Sequence, residues 1–248
     1  MQDNRTQQFD NDFNAPTDLF AAAAAADERA SFITKTYLYL FGAIAALIGI
    51  ETFLFTVLGM ENMMKLTGTM LGGQYSWLVV LGAFMLVSWV AETWARSSVS
   101  SAIQHAGLTL YVVAMAILLV PLLCLAQLKT GDASLILSAG TATAGLFAML
   151  TVAVFITRKD FSFLRSFLAF GTLAALGFIV TAIVFQFSLG PIFCYAMIAL
   201  MCGYILYHTS NILHHYRIGQ HVAAALALFA SVAMLFWYIL QLFLSRED

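Results

Sequence analysis

The chain has 248 residues, of which 62% are hydrophobic and 10% are charged. Soluble domains carry about 25% charged residues, so the composition excludes an ordinary soluble protein. The net charge of −2 says little, and no basic patch indicates binding to nucleic acid. The apolar runs do not alternate with polar residues, as the strands of a membrane β-barrel would. The sequence therefore predicts an all-α integral membrane protein.

Residues 1–34 are polar and acidic, apart from six consecutive alanines at positions 21–26. No basic start leads directly into an apolar core, so this stretch does not have the pattern of a signal peptide. We interpret it as a flexible cytoplasmic tail, in which Asp18 could cap a short helix near residues 18–30. Residues 35–248 form the predicted membrane domain.

Seven apolar segments follow, each long enough for a bilayer crossing of about 20 residues. We predict seven transmembrane helices over residues 36–58, 75–95, 103–126, 133–157, 163–187, 191–213 and 222–244. The only long connection in this prediction is 59–74.

Lys and Arg are distributed unevenly between the two sides of these spans, and the richer side is expected to be cytoplasmic. The prediction therefore places the N-terminus in the cytoplasm and residue 248 outside. Eight cations lie on one side (Arg5, Arg29, Lys35, Arg96, Arg158, Lys159, Arg165 and Arg217) and three on the other (Lys65, Lys129 and Arg246).

Glu51 is the acid deepest within a predicted span. It lies seven residues before the end of the first span, about 10 Å into the hydrocarbon at 1.5 Å per residue. Such a carboxyl group should face the bundle or water, pair with a cation, or be protonated. Lys65 could reach it if the following connection folds inward. Glu51 is therefore either a site for handling ions or protons, or a structural buried acid.

A second polar group is predicted where the sixth and seventh spans pack together. His208 and Asn211 are three residues apart and share a helix face, and Ser231 lies in the middle of the seventh span. Histidine titrates near physiological pH, so this group could act as a proton-sensitive switch. The alternative is polar contact that only holds the helices together.

Other chemistry finds little support in the sequence. Cys124, Cys194 and Cys202 form no CxxC pair, and no HExxH or GxSxG motif is present. His214 and His215 are adjacent and point in different directions on a helix, which makes them poor joint metal ligands. We therefore expect no catalytic residues, no metal and no cofactor.

Two segments carry a family resemblance. Residues 157–164 resemble the T-K-x-D-F-S-x-L signature of the Bax inhibitor-1 family. Residues 207–213 resemble that family's Y-D-T-Q-x-I segment, and more closely the E-T-S-N-I-I form of its bacterial YccA branch. The resemblance covers roughly residues 32–248. Its motif residues here are Arg158, Lys159, Asp160, Ser162, Thr209 and Ser210.

This resemblance implies a seven-helix fold with the last helix at the centre. It also implies the calcium-leak and pH-sensing activity of some members, which rests on one aspartate in the sixth helix and one in the seventh. His208 and Ser231 stand at those positions here. Neither residue offers the paired carboxylates that admit a divalent cation.

The YccA branch implies a different role in the bacterial inner membrane. Its members bind the membrane-embedded AAA protease FtsH and its regulators, and they are slow substrates that modulate the protease. A polar cytoplasmic tail suits that role. The sequence thus leaves two functions open: a protease modulator, or a pH-sensitive calcium or proton leak through Glu51, His208 and Ser231.

Overall fold

A computed structural model describes residues 20–97 and 100–246. Seven of its helical segments are long and apolar enough to cross a membrane, which confirms the predicted fold class. The helices are α1 (Ala26–Phe53), continued by a π-helical turn (Leu54–Leu58), α2 (Gly59–Leu71), α3 (Ser76–Ala95), α4 (Ser101–Thr130), α5 (Ser134–Thr157), α6 (Leu164–Phe185), α7 (Gly190–His214) and α8 (His221–Leu244).

The first helix begins inside the segment that the sequence predicts as a tail. α1 starts at Ala26, ten residues before the predicted span. Asp27 and Glu28 occupy its first turn, where acidic side chains interact favourably with the helix dipole. Asp18, the predicted cap, lies with residues 1–19 outside the described part of the chain.

The predicted connection 59–74 contains a helix, α2. Gly59 has a φ of 80°, so it turns the chain sharply after the π-helical turn. Met63 and Met70 are buried beneath α2, whereas Lys65 pairs with Glu61 across 2.7 Å on its exposed face. Lys65 therefore does not pair with Glu51, contrary to the possibility raised by the sequence.

The last helix lies at the centre of the bundle, as the family resemblance implies. α8 packs against α1, α3, α4, α5 and α7, and most of its residues are buried. The first turns of this helix contain three alanines, Ala223, Ala224 and Ala225. Such small side chains allow neighbouring helices to approach closely.

The outer helices pack unevenly around α8. α3 lies mainly against α4, and α6 mainly against α7. Both contacts are close: a Cβ atom on Gly107 of α4 would lie 2.5 Å from the carbonyl oxygen of Ala91, and one on Gly171 of α6 would lie 2.7 Å from Leu200. α3 and α6 are not packed closely against each other, which leaves a gap on one side of the bundle.

We call one end of the bundle the basic end. The N-terminus of α1 lies there, together with the connections that follow α3, α5 and α7. Its cations include Arg96, Arg158, Lys159, Arg165 and Arg217.

Candidate functional site

A cavity of about 1000 Å³ occupies the gap between α3, α6, α7 and α8. Its walls are mainly apolar. They extend from Gly190 and Gln241, near the end of the bundle opposite the basic end, to Glu92 and Arg96 at the basic end. Glu92 and Arg96 are four residues apart and approach to 3.5 Å, as their spacing predicts. The cavity therefore follows α8 across most of the bundle.

His208 lies where this cavity meets the basic end. Its ring stacks on Tyr204, with centroids 5.6 Å apart and planes 18° apart, and it also contacts Tyr207 at 5.2 Å. The Tyr204 hydroxyl is held in turn by Thr172 at 2.8 Å. Nδ1 of His208 is buried and has no hydrogen-bond partner in the described part of the chain. Aromatic contacts thus hold the ring in place, while its Nδ1 atom makes no hydrogen bond to the described residues.

Ser231 and Asn211 make no hydrogen bond with His208 in the described structure. Ser231 lines the same cavity, and its hydroxyl donates to the carbonyl of Ala227 at 3.0 Å within α8. Asn211 lines an adjoining cavity of about 460 Å³, which His208 also lines. The structure thus brings the three predicted residues to neighbouring cavities, with His208 common to both.

Glu51 lies apart from this group and lines neither cavity. Both of its carboxyl oxygens are buried, and neither has a hydrogen-bond partner within residues 20–97 and 100–246. It lies three residues before the π-helical turn at the outer end of α1. A pathway that used Glu51, His208 and Ser231 together would therefore need a connection beyond these two cavities.

Two further histidines lie outside the large cavity. Nε2 of His105 and the hydroxyl of Tyr39 are 2.7 Å apart, which joins α4 to α1. His215 contacts Asp160 at 2.9 Å. Over the described residues, no group of three or more His, Cys, Asp or Glu is placed to hold a metal ion.

The motif in the connection between α5 and α6 attaches that connection to α7. Ser210 Oγ accepts a hydrogen bond from the backbone N–H of Phe161 at 2.9 Å, and Ser162 donates its backbone N–H to Asp160 at 2.8 Å. Partial burial raises the pKa of Asp160. The hydrogen bonds from Ser162 and His215 outweigh this effect and bring the pKa below its usual value.

The remaining motif residues fit this structural role. Arg158 ends α5 with a left-handed backbone conformation, at a φ of 48°. The side chains of Arg158, Lys159 and Ser162 are exposed, and Thr209 is fully buried beside Ser210. The structure therefore gives the motif a part in positioning α6 relative to α7.

Comparison with models of protein families assigns the chain to one family. The family model described as inhibitor of apoptosis-promoting Bax1 matches residues 29–248. The protein belongs to the Bax inhibitor-1 family. With seven helices of spanning length, this Bax inhibitor-1 family member is a multi-pass membrane protein.

Its relatives come from bacteria, plants and fungi. An uncharacterized protein of Pseudomonas aeruginosa is 35% identical over 111 residues, which are 44% of this chain and 50% of that protein. LIFEGUARD 4 of Arabidopsis thaliana is 31% identical over 117 residues, 45% of this chain and 47% of that protein. Bax inhibitor 1 of Schizosaccharomyces pombe is 35% identical over 116 residues, 45% of this chain and 42% of that protein. The chain thus aligns with half or less of each of these relatives.

The family match begins at residue 29, so residues 20–25, which we call the N-terminal segment, precede it. The backbone N–H of Ala21 donates to the carbonyl of Tyr216 at 2.8 Å, and Phe20 forms an antiparallel β-bridge with Arg217. The Arg217 guanidinium lies 5.7 Å from the centre of the Phe20 ring. This contact fixes the start of α1 to the connection between α7 and α8. Sequence reasoning missed it because an alanine run carries no signal for a distant partner.

Proposed function

We propose that this Bax inhibitor-1 family protein modulates a membrane-embedded AAA protease of the FtsH type in membrane-protein quality control. The observation that carries the proposal is the bond between Ala21 and Tyr216, which holds the N-terminal segment at the basic end of the bundle. Residues 1–19, polar and acidic in sequence, precede that point. On the predicted orientation, the protease would take hold of them from the cytoplasm.

The contacts that follow would slow a protease that pulls on this tail. It would first have to break the bond from Ala21 and the bridge between Phe20 and Arg217. It would then have to extract α1, which packs against the central α8. Leaving the bilayer costs about 0.3 to 0.6 kcal/mol for each Leu, Ile, Phe or Val, and α1 contains many of them. A substrate that is easily gripped and slowly extracted occupies the protease, which is how a modulator would act.

Shortening the tail tests whether the protease engages the protein there. Deletion of residues 2–19 should slow degradation of the protein in membranes that contain the protease, measured by pulse-chase. Replacement of the same residues by a Gly/Ser stretch of equal length should keep degradation near the wild-type rate, because a flexible stretch preserves the reach. Equal half-lives for the deletion and the wild type would rule out this tail as the point of attack.

Weakening the contact of the N-terminal segment tests whether that contact slows extraction by the protease. Ala21→Pro removes the N–H that bonds to Tyr216 and should shorten the half-life about twofold or more, since such a bond is worth about 1 kcal/mol. Ala26→Pro is the matched control, because proline is well accepted at the first position of a helix. The preceding Ala25 already has the extended conformation that proline requires, with φ −56° and ψ 149°. Equal half-lives for the two proline variants would contradict this part of the proposal.

A second candidate is a pH-sensitive calcium or proton leak. The observation that favours it is the unpartnered Nδ1 of His208 beside a cavity that follows α8 across most of the bundle. Of the two ions, the proton suits this cavity better, because Glu92 is the one carboxylate among the described residues on its wall and it pairs with Arg96. Histidine exchanges protons in the physiological range.

Flux from liposomes tests the leak. Proton and calcium flux between about pH 5 and 8 should exceed that of empty liposomes, and His208→Ala should shift the pH at half-maximal flux. His105→Gln is the matched control, because His105 bonds to Tyr39 outside the large cavity. Flux equal to that of empty liposomes would end the leak hypothesis and leave the protease hypothesis intact.

A further inference from the structure

The large cavity opens sideways, toward the space that lipid would occupy. Met85 and Trp89 of α3 line it while remaining 51% and 69% exposed, and Phe187, just beyond α6, is 46% exposed. These residues stand on the two sides of the gap between α3 and α6. A lipid chain could therefore enter the cavity without passing through the bundle.

The adjoining cavity at the basic end has the opposite character. Arg96 and Arg165 both line it, together with Tyr207, Asn211 and Gln220. Arg165 forms no ion pair with any described residue, whereas Arg96 shares its charge with Glu92 at 3.5 Å. Arg165 is thus a cation on this cavity that no described carboxylate pairs with, while His215, which also lines the cavity, contacts Asp160 at 2.9 Å.

His208 joins the two cavities. It lines both, and its Nδ1 is buried with no partner in the described chain. A buried polar atom of this kind costs free energy unless something bonds to it. In the tautomer that carries the proton on Nδ1, the ring can donate to an acceptor on a ligand that extends from the polar cavity into the apolar one.

We propose that this groove binds one anionic phospholipid. Its phosphate lies in the polar cavity beside Arg96 and Arg165, and an acyl chain extends along the apolar cavity between α3 and α6. Basic pockets between transmembrane helices are suited to anionic headgroups, and an acyl chain matches the apolar walls.

Retention of lipid by the purified full-length protein tests the proposal. The protein is reconstituted in vesicles of equal parts phosphatidylglycerol and phosphatidylcholine, extracted with mild detergent, and examined by native mass spectrometry. We expect one phosphatidylglycerol to be retained in preference to phosphatidylcholine. Arg165→Gln should reduce that retention about fivefold, the equivalent of about 1 kcal/mol for one arginine near a membrane surface.

Two pairs of variants distinguish binding of the lipid headgroup from binding of the acyl chain. Arg158→Gln removes an exposed arginine from the same end of the bundle that lines neither cavity, so it should leave retention unchanged. Ile179→Trp fills the apolar cavity from α6 and should abolish retention, whereas Leu173→Trp lies on the same helix, is 66% exposed, lines neither cavity and should have no effect.

Three results would overturn the proposal. They are equal retention of the two lipids, an equal loss in Arg158→Gln and Arg165→Gln, and full retention in Ile179→Trp. The measurement depends on neither proteolysis nor ion flux, so it can fail or succeed independently of both proposed functions.

Discussion

Asp160 illustrates how one motif residue acts through its neighbours. Its carboxylate accepts the backbone N–H of Ser162 and contacts His215, which directly follows α7. Desolvation raises the pKa of Asp160 and these bonds lower it, and the net result is a lowered pKa. The charged form is thus the one that fits the folded protein, and protonation should weaken the attachment of this connection.

A pH dependence of stability follows at this residue. Because the pKa of Asp160 is lower in the folded state, its contribution is present above the usual aspartate pKa of about 3.9 and is lost as the pH falls through the folded value. Thermal unfolding of the purified protein should therefore show a falling melting temperature on acidification below about pH 4. Asp160→Asn should flatten part of that slope. A slope identical in the variant and the wild type would assign the acid sensitivity to other groups.

At the scale of elements, helix packing depends on a few positions without side chains. A Cβ atom on Gly107 would lie 2.5 Å from the carbonyl oxygen of Ala91 and 2.7 Å from the backbone nitrogen of Ala95. Both are backbone atoms of α3, so they cannot move aside as a flexible side chain can. The contact between α3 and α4 therefore requires glycine at this position.

Gly107→Ala should destabilise the protein by about 1 to 3 kcal/mol, the usual cost of overpacking. Gly82→Ala is the matched control, because a Cβ atom there meets nothing within 4 Å and alanine favours helix over glycine. Thermal unfolding in detergent measures both variants. The expectation fails if both melt at the same temperature as the wild type.

The sequence predicts elements well where hydrophobicity alone defines them. Six of the seven predicted spans coincide closely with long helices, because burial in lipid imposes long apolar runs, whereas the first helix begins ten residues before its predicted span. It fails for α2, where Met63 and Met70 face inward while Glu61 and Lys65 face outward, a pattern too short to separate from an irregular connection.

The candidate site could be predicted only in part, for a related reason. His208 attracts attention because a histidine within a span is costly. Its cavity, however, depends on α3 and α6 failing to pack against each other, and no residue pattern along one helix reports such an absence. The contact of Phe20 with Arg217 also joins segments far apart in sequence.

At the scale of the whole molecule, the seven crossings place the two ends of the described chain on opposite sides of the bilayer. Eight of the eleven Lys and Arg residues lie on the side of the basic end, which is therefore expected to face the cytoplasm. A single introduced cysteine on each side can test this. Cys124 and Cys194 are buried and Cys202 is partly buried, so they should contribute a low background.

Ser162→Cys at the basic end should react with a membrane-impermeant maleimide only after the membrane is permeabilised. Gln74→Cys, in the exposed connection before α3, should react while the membrane is intact. Both replaced residues are uncharged, so the charge distribution that sets the orientation is unchanged. The opposite labelling pattern would invert the topology and, with it, the side from which a protease could reach the N-terminus.

The central position of α8 also has a consequence for biosynthesis. Translation produces α1 to α7 before α8, so the first six crossings enter the bilayer before the helix against which α1, α3, α4, α5 and α7 all pack. Until residue 221 and those after it are inserted, these helices are held by lipid and by their contacts with one another. Ribosomes that stall within this interval would leave membrane-inserted chains without the central helix of the core, and the cell would have to recognise and remove them.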